Sequence, residues 1–330
     1  MGTRRYGPNN PGPIDYDALA DQAIARFRLL GRRMQIVVVV LLLISGIVAA
    51  VIYFRSQNLT TGSFEVATPN LLLGNPSGAT SSFTNSDNYL MVKPYYVLSY
   101  NSDEGIPNWV SWEVTMDDLG SAPRKQVFDP DTTLPAGFNV VTTREYAGSG
   151  FQRGHMCPHS DRAANLEMSY ATFVMTNIIP QPPNVNEKAW AQLESYCRRL
   201  VDRHQHLHIM SGPIGRGGRG TNGFRETLGR GNVVVPAECW KVVVVVPEEG
   251  GSDDLNKINA ATRVVAVDMP NDNEVVGEEW AKYRTTPAHI ELKTGLHFFT
   301  CLRPDIAEAL RQRIDDEYIP PPRPMSHGGH

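Results

Sequence analysis

Cysteine is scarce, with four in 330 residues: Cys157, Cys197, Cys239 and Cys301. Their spacing is not that of a zinc finger. Four cysteines allow three connectivities, and nothing in the spacing chooses among them or between disulfide and thiol. An excess of one charge is also missing. Lysine and arginine number 31 against 35 aspartates and glutamates, a formal net charge of −4. That excludes a globally basic nucleic-acid binder, so any grip on a polyanion must use a local basic patch. No internal repeat is present. Long apolar runs are absent too, with one exception.

The exception is Ile36–Phe54, which holds no charged residue. At a rise of about 1.5 Å per residue its nineteen positions span roughly 28 Å, close to the hydrocarbon thickness of a bilayer. A signal-peptide core is shorter, about 7–15 residues. An uncleaved transmembrane helix is therefore expected over residues 36–54, with cleavage near Ala49-Ala50 as the alternative. Arg4, Arg5, Arg26, Arg28, Arg32 and Arg33 precede the run. After it comes only Arg55 until Lys93. This asymmetry puts residues 1–35 in the cytoplasm and the C-terminal bulk on the periplasmic or extracellular side. The other apolar run, Val242–Val246, is far too short to span and reads as a buried strand.

Residues 1–14 are rich in Gly, Pro and Asn and read as disordered, and residues 15–33 as a short helix. Residues 55–84 read as a Ser/Thr/Asn/Gly-rich tether. One domain is expected over 85–318, followed by a disordered tail, 319–330. Within the domain, strands are expected at Tyr95–Leu98, Trp109–Val114, Phe151–His155, His208–Met210, Trp240–Val246 and Arg263–Val267, with a weaker one at Val140–Thr143. Helices are expected from Asn186 to Leu200 and from Asp305 to Tyr318, the second ended by three prolines.

The informative window begins at Gln152-Arg153-Gly154-His155. It continues with Asn177-Ile178-Ile179-Pro180-Gln181, then Asn186, then Trp190-Ala191-Gln192-Leu193-Glu194. This ordered series resembles the DNA/RNA non-specific endonucleases of the ββα-metal, or His-Me finger, superfamily. Asn108-Trp109-Val110, Arg124 ahead of Asp129-Pro130, Ser211-Gly212-Pro213, Trp240-Lys241-Val242 and Thr294–Phe299 extend it across roughly residues 85–310. The resemblance implies an α+β nuclease domain with a central, mostly antiparallel sheet flanked by helices. It also implies hydrolysis of DNA and RNA to 5′-phosphorylated products, with Mg²⁺, or Mn²⁺ in its place, as cofactor. A homodimer is a further expectation from it. The family's first motif position is Asp, and here it is Gln152, which keeps hydrogen-bonding capacity and loses a charge.

The residue chemistry agrees with that implication. His155 is the candidate general base, because neutral imidazole accepts a proton near pH 7. Asn186 is the candidate direct metal ligand, since a lone neutral oxygen suits Mg²⁺ that keeps several waters. The same side chain is a candidate N-cap of the following helix. Glu194 lies eight residues on, about 80° around an α-helix and 12 Å along it. It is placed to hold a metal-bound water, or else it is a solvated helix residue. Arg153 and Arg124 are candidate phosphate clamps, and Asn177 would orient the site through hydrogen bonds. Trp190, Leu193, Cys197 and Leu200 recur at helical spacing and read as core. His204, His206 and His208 alternate and read as a polar strand face with Leu207 and Ile209 inside, although three imidazoles on one face also suit a transition metal. The loop Gly215–Gly220, with Arg225 and Arg230, is either a phosphate-gripping loop or a solvated one. Two other functions fit less of the sequence. One is a nucleic-acid-binding or envelope scaffold with an impaired site, supported only by Gln152. The other is a hydrolase of small phosphodiesters.

Overall fold

The computed structural model describes residues 68–247, 254–275 and 279–317, with isolated positions between Ala25 and Leu41. The chain divides into two units, Met1–Phe64 and Glu65–His330. In the first unit, helical positions include Ala25, Arg32, Ile36, Val37, Val40 and Leu41. Among the described residues no helix is long and apolar enough to cross a membrane. Most of the run at 36–54 lies outside the described residues, as do the segment 1–14 and the tail 319–330.

The second unit is built on a seven-stranded antiparallel sheet. Its strands are β1 (Tyr89–Val92), β2 (Val97–Asn101), β3 (Ile106–Val114), β6 (Gln205–Ile214), β11 (Glu238–Pro247), β12 (Arg263–Pro270) and β13 (Arg284–Thr285). They lie side by side in that order. β11 lies inside the sheet, paired to β6 on one side and β12 on the other. Its valines alternate between faces: Val243 and Val245 enter one hydrophobic core, and Val242, Val244 and Val246 enter the other. A strand covered on both faces has no polar side, which is why the sequence there is a run rather than an alternation.

On the first face a separate antiparallel pair, β4 (Gln152–His155) and β5 (Ile178–Gln181), precedes a long helix. This is the β-β-α unit. Gly154 is required by close packing inside it. A Cβ there would fall 2.0 Å from Gln181 Oε1, so the Arg-Gly-His and Pro-Gln motifs are two halves of one contact. The helix begins as a π-helical turn, Val185–Ala189, and continues as an α-helix, Trp190–Val201. Leu193, Cys197 and Leu200 are buried in the core, as their spacing predicts.

Several sequence expectations are corrected. Residues 68–84 do not form a tether but pack on the domain. Leu73 and Ala79 are buried in the second core, and Trp109 donates its indole N–H to Ser77 Oγ at 2.8 Å. A polar composition concealed a few apolar anchors. Val140–Thr143 contains no strand; Thr142 instead caps a 3₁₀ turn, Thr143–Tyr146, by accepting from the Arg144 N–H. The last helix is Pro304–Arg311 and stops short of the expected end. His204 lies in a turn with φ 60° rather than on β6. His208 is buried rather than solvated. Cys157, Cys197 and Cys239 are buried thiols, and Cys301 is exposed. β7 (Gly218–Gly220) and β8 (Gly223–Arg225) form a small hairpin, and β9 (Thr227–Leu228) pairs with β10 (Val233–Val234) just after it. Arg219 there sits 3.5 Å from Glu274, so the loop's positive charge is partly matched.

Candidate active site

A cleft of about 500 Å³ opens beside β4 and the π-turn, and its walls include Arg124, Gln152, Arg153, His155, Asn186 and Glu194. Five of the six residues singled out in the sequence for catalysis or metal binding therefore meet in one place. The sixth, Asn177, is fully buried behind it. Its amide accepts from Cys157 N–H at 3.0 Å and donates to the carbonyls of Cys157 and Thr172 at 2.8 and 3.0 Å. Asn177 thus ties down the chain just after His155 and does not line the cleft.

His155 ends β4 and is 6% exposed. Phe128 and Phe173 flank its ring at centroid distances of 5.1 and 4.7 Å. Backbone bonds between Asp129 and residues 173 and 175 hold the two phenylalanines together. His155 Nε2 is buried without a hydrogen-bond partner among the described residues. Burial, with Arg124, His159 and Arg153 nearby, lowers its pKa to about 3, because an imidazolium would lose solvation and be repelled. The ring is therefore held neutral, as a base must be before it acts.

Two guanidinium groups stack on the same phenylalanines. Arg153 Cζ lies 4.8 Å from the Phe128 ring centroid and Arg124 Cζ 5.1 Å from that of Phe173. Neither arginine has a carboxylate partner among the described residues. Stacking fixes the planes without using the terminal N–H groups, which stay available to an anion, while Arg153 Nε is itself buried.

The π-turn changes the relation of Asn186 to Glu194. It takes up one extra residue, so the eight-residue separation acts as seven α-helical steps, roughly 20° short of two full turns. The two side chains then share a face, where uniform α-helical geometry set them about 80° apart. Asn186 Nδ2 donates to Gln152 Oε1 at 2.7 Å. That contact fixes the amide's rotation and leaves Oδ1 as its free face. Gln152 Nε2 in turn donates to Glu187 Oε1. An aspartate at 152 would accept from Asn186 equally well but would oppose Glu187. The glutamine keeps the orienting contact and gains a donor for that carboxylate.

Glu194 is half-buried, and burial raises its pKa while Lys241 offsets part of the rise. Lys241 is buried, with Nζ 3.9 Å from Glu194 Oε1 and 4.4 Å from the Trp190 ring centroid. In the sequence Lys241 stands out only as part of Trp240-Lys241-Val242. Its signal was a lone cation beside an all-apolar strand run, since an unpaired lysine is almost never fully buried. Phe128, Phe173 and His159 were also missed. His159 lines the cleft with Nδ1 3.2 Å from Ser169 Oγ, and only its closeness to His155 in sequence marked it.

A neutral buried imidazole, two unpaired guanidinium groups and an oriented amide oxygen beside a carboxylate define a phosphodiester hydrolase. The chain belongs to the DNA/RNA non-specific endonuclease family, whose model matches residues 74–305. A nuclease of Nostoc sp. is 44% identical over 246 residues, covering 74% of this chain and 86% of that one. The nuclease of Serratia marcescens is 26% identical over 257 residues, covering 74% and 85%. Mitochondrial nuclease EXOG of Xenopus laevis is 32% identical over 216 residues, 64% of this chain but only 58% of that protein. A crystal structure of an EndoG/EndoGI complex shares the fold, with TM-score 0.59 at 22% identity, covering 74% of this chain and 96% of that one. The protein is a hydrolase of the nuclease class.

Proposed function

We propose that the protein is a membrane-anchored, Mg²⁺-dependent endonuclease that cleaves DNA and RNA with little sequence preference. The observation that carries the chemistry is the meeting of His155, Arg153, Arg124, Asn186 and Glu194 in one cleft, with the imidazole held neutral. Nε2 of His155 is walled off, so Nδ1 is the nitrogen that takes a proton from the attacking water. Water adds to phosphorus, the P–O3′ bond breaks, and a 5′-phosphate results. Arg153 and Arg124 hold the non-bridging oxygens through their terminal N–H groups.

The donor set fits a small hard cation: Asn186 Oδ1 as direct ligand and the Glu194 carboxylate holding an ion-bound water, with no thiolate in the cleft. When bound, Mg²⁺ supplies charge neutralisation at the phosphoryl group and the departing oxygen. Gln152 supports the reading by fixing Asn186 rotation. Asn177 is a positioning residue, holding the turn that follows His155. The anchor rests on the uncharged run 36–54 and the arginines before it, and it sets the catalytic domain outside the cytoplasm.

The test is plasmid and RNA cleavage by the purified full chain in Mg²⁺ or EDTA, beside His155→Ala. Cleavage lost in both EDTA and the variant is the expected result. Cleavage that survives either change overturns the mechanism. Protease accessibility of the C-terminal domain in spheroplasts and in broken cells tests the topology; protection in spheroplasts with digestion in broken cells overturns it.

A further inference from the structure

A second cluster of titratable groups lies on the sheet face opposite the nuclease cleft, and the reaction does not use it. His206 and His208 are two residues apart on β6 and therefore share a face. Their neighbours Leu207 and Ile209 enter the core beneath the cleft, whereas Met210, in phase with the histidines, enters the other core. Glu113 on β3 stands directly opposite His208 in the strand register. Asp254 arrives from the short helix Asp254–Lys257, on the connection from β11 to β12. Its Oδ2 is 3.0 Å from His206 Nδ1 and 3.0 Å from His208 Nε2. Glu113 Oε1 is 4.0 Å from His208 Nε2. The ligating atoms of Glu113, His206 and Asp254 all lie within 4.8 Å of one another.

We propose that Glu113, His206, His208 and Asp254 form a structural site for a divalent transition metal of the zinc type, separate from the catalytic ion. Two imidazoles and two carboxylates suit zinc, whereas Mg²⁺ prefers oxygen alone. Tetrahedral zinc with bonds of about 2.1 Å needs donors roughly 3.4 Å apart. The Asp254–His206, Asp254–His208 and Glu113–His208 separations of 3.0, 3.0 and 4.0 Å bracket that value, and the remaining donor pairs close on the ion by side-chain rotation.

Lys257 Nζ holds Asp254 Oδ1 at 2.9 Å, which turns Oδ2 toward the histidines. His208 is buried, and its Nδ1 has no partner among the described residues. Its proton can therefore sit on Nδ1, freeing the Nε2 lone pair, at no cost in hydrogen bonds at Nδ1. The two carboxylates balance the dication. His206 and Glu113 side chains are 20% and 21% exposed, which gives the ion a route in. The metal would pin β3, β6 and the Asp254 connection to one another.

The test titrates Zn²⁺ and Co²⁺ into the full chain with Mg²⁺ in excess. One zinc per chain is expected, together with visible Co²⁺ bands of tetrahedral intensity and a raised Tm. His206→Ala should weaken zinc binding about tenfold or more and abolish the Co²⁺ bands, with Mg²⁺-dependent plasmid cleavage within twofold of the parent. That retained cleavage also shows that the variant folds. Glu113→Gln gives the same reading should His206→Ala not fold. Asn186→Ala, in the cleft, should leave zinc affinity unchanged. The proposal is overturned if no zinc binds under Mg²⁺, if both cluster variants bind it as the parent does, or if Asn186→Ala alone removes it.

Discussion

Replacing Gln152 tests whether the departure from the family motif is neutral or compensated. Its side chain makes two contacts of different purpose: Oε1 orients Asn186 and Nε2 serves Glu187. Gln152→Glu keeps the first and turns the second into two carboxylates in contact. The lost hydrogen bond to a charged acceptor is worth about 1.5–3 kcal/mol in a buried setting. Glu187 is exposed, so roughly 1 kcal/mol of stability is expected to be lost. Cleavage at saturating Mg²⁺ should stay within a few-fold of the parent. Gln152→Ala removes the orienting contact instead. The Asn186 amide then rotates freely, and loss of such an outer partner typically costs about 10–100-fold in metal affinity or activity. The assay is plasmid cleavage rate against Mg²⁺ concentration, with urea unfolding in parallel. Gln152→Glu combined with Glu187→Gln should recover the lost stability, since donor and acceptor are merely exchanged. Unchanged Mg²⁺ dependence in Gln152→Ala would refute the argument. So would Gln152→Glu losing as much activity as Gln152→Ala.

Three further outcomes are expected. His155→Ala should slow cleavage by about 10²–10⁴-fold with DNA affinity retained, the usual worth of a general base; a gel-shift titration beside the rate assay checks both. The folded pKa of His155 lies near 3, below the ordinary 6.5. Its contribution to stability is thus complete above pH 6.5 and is lost as pH falls from there toward 3, where the unfolded chain alone takes up the proton. Tm measured from pH 7 to pH 4 should fall less steeply in His155→Gln than in the parent, and parallel curves would contradict the burial argument. Gly154→Ala places a methyl 2.0 Å from Gln181 Oε1. It should destabilise by about 1–3 kcal/mol, read as a lower urea midpoint, and Gln181→Ala should relieve much of that loss.

Much of the site was legible because its groups come from one short stretch. His155, Asn177, Asn186 and Glu194 sit on a β-β-α unit whose geometry is local, so their order in sequence carries their order in space. The sheet was legible where both faces are apolar, as in Val242–Val246, and less so at β1, where the burial pattern mixes exposed and buried positions. The 68–84 segment misled because its polar composition hides Leu73 and Ala79.

By itself the sequence determined the nuclease family, the cleft's principal residues and the uncharged run at 36–54, since each is a property of residue type and spacing along the chain. Tertiary structure alone decided what lies between distant segments. The π-turn rotates Asn186 onto the face of Glu194, because an extra backbone residue shifts helical phase in a way composition does not encode. Lys241 reaches Glu194 from a strand 47 residues away in sequence. Asp254 joins His206 and His208 only because β11 carries the chain back along β6. Contacts of that kind depend on strand register and the path of connections, and the hydrophobic pattern sets both only once the whole sheet has assembled.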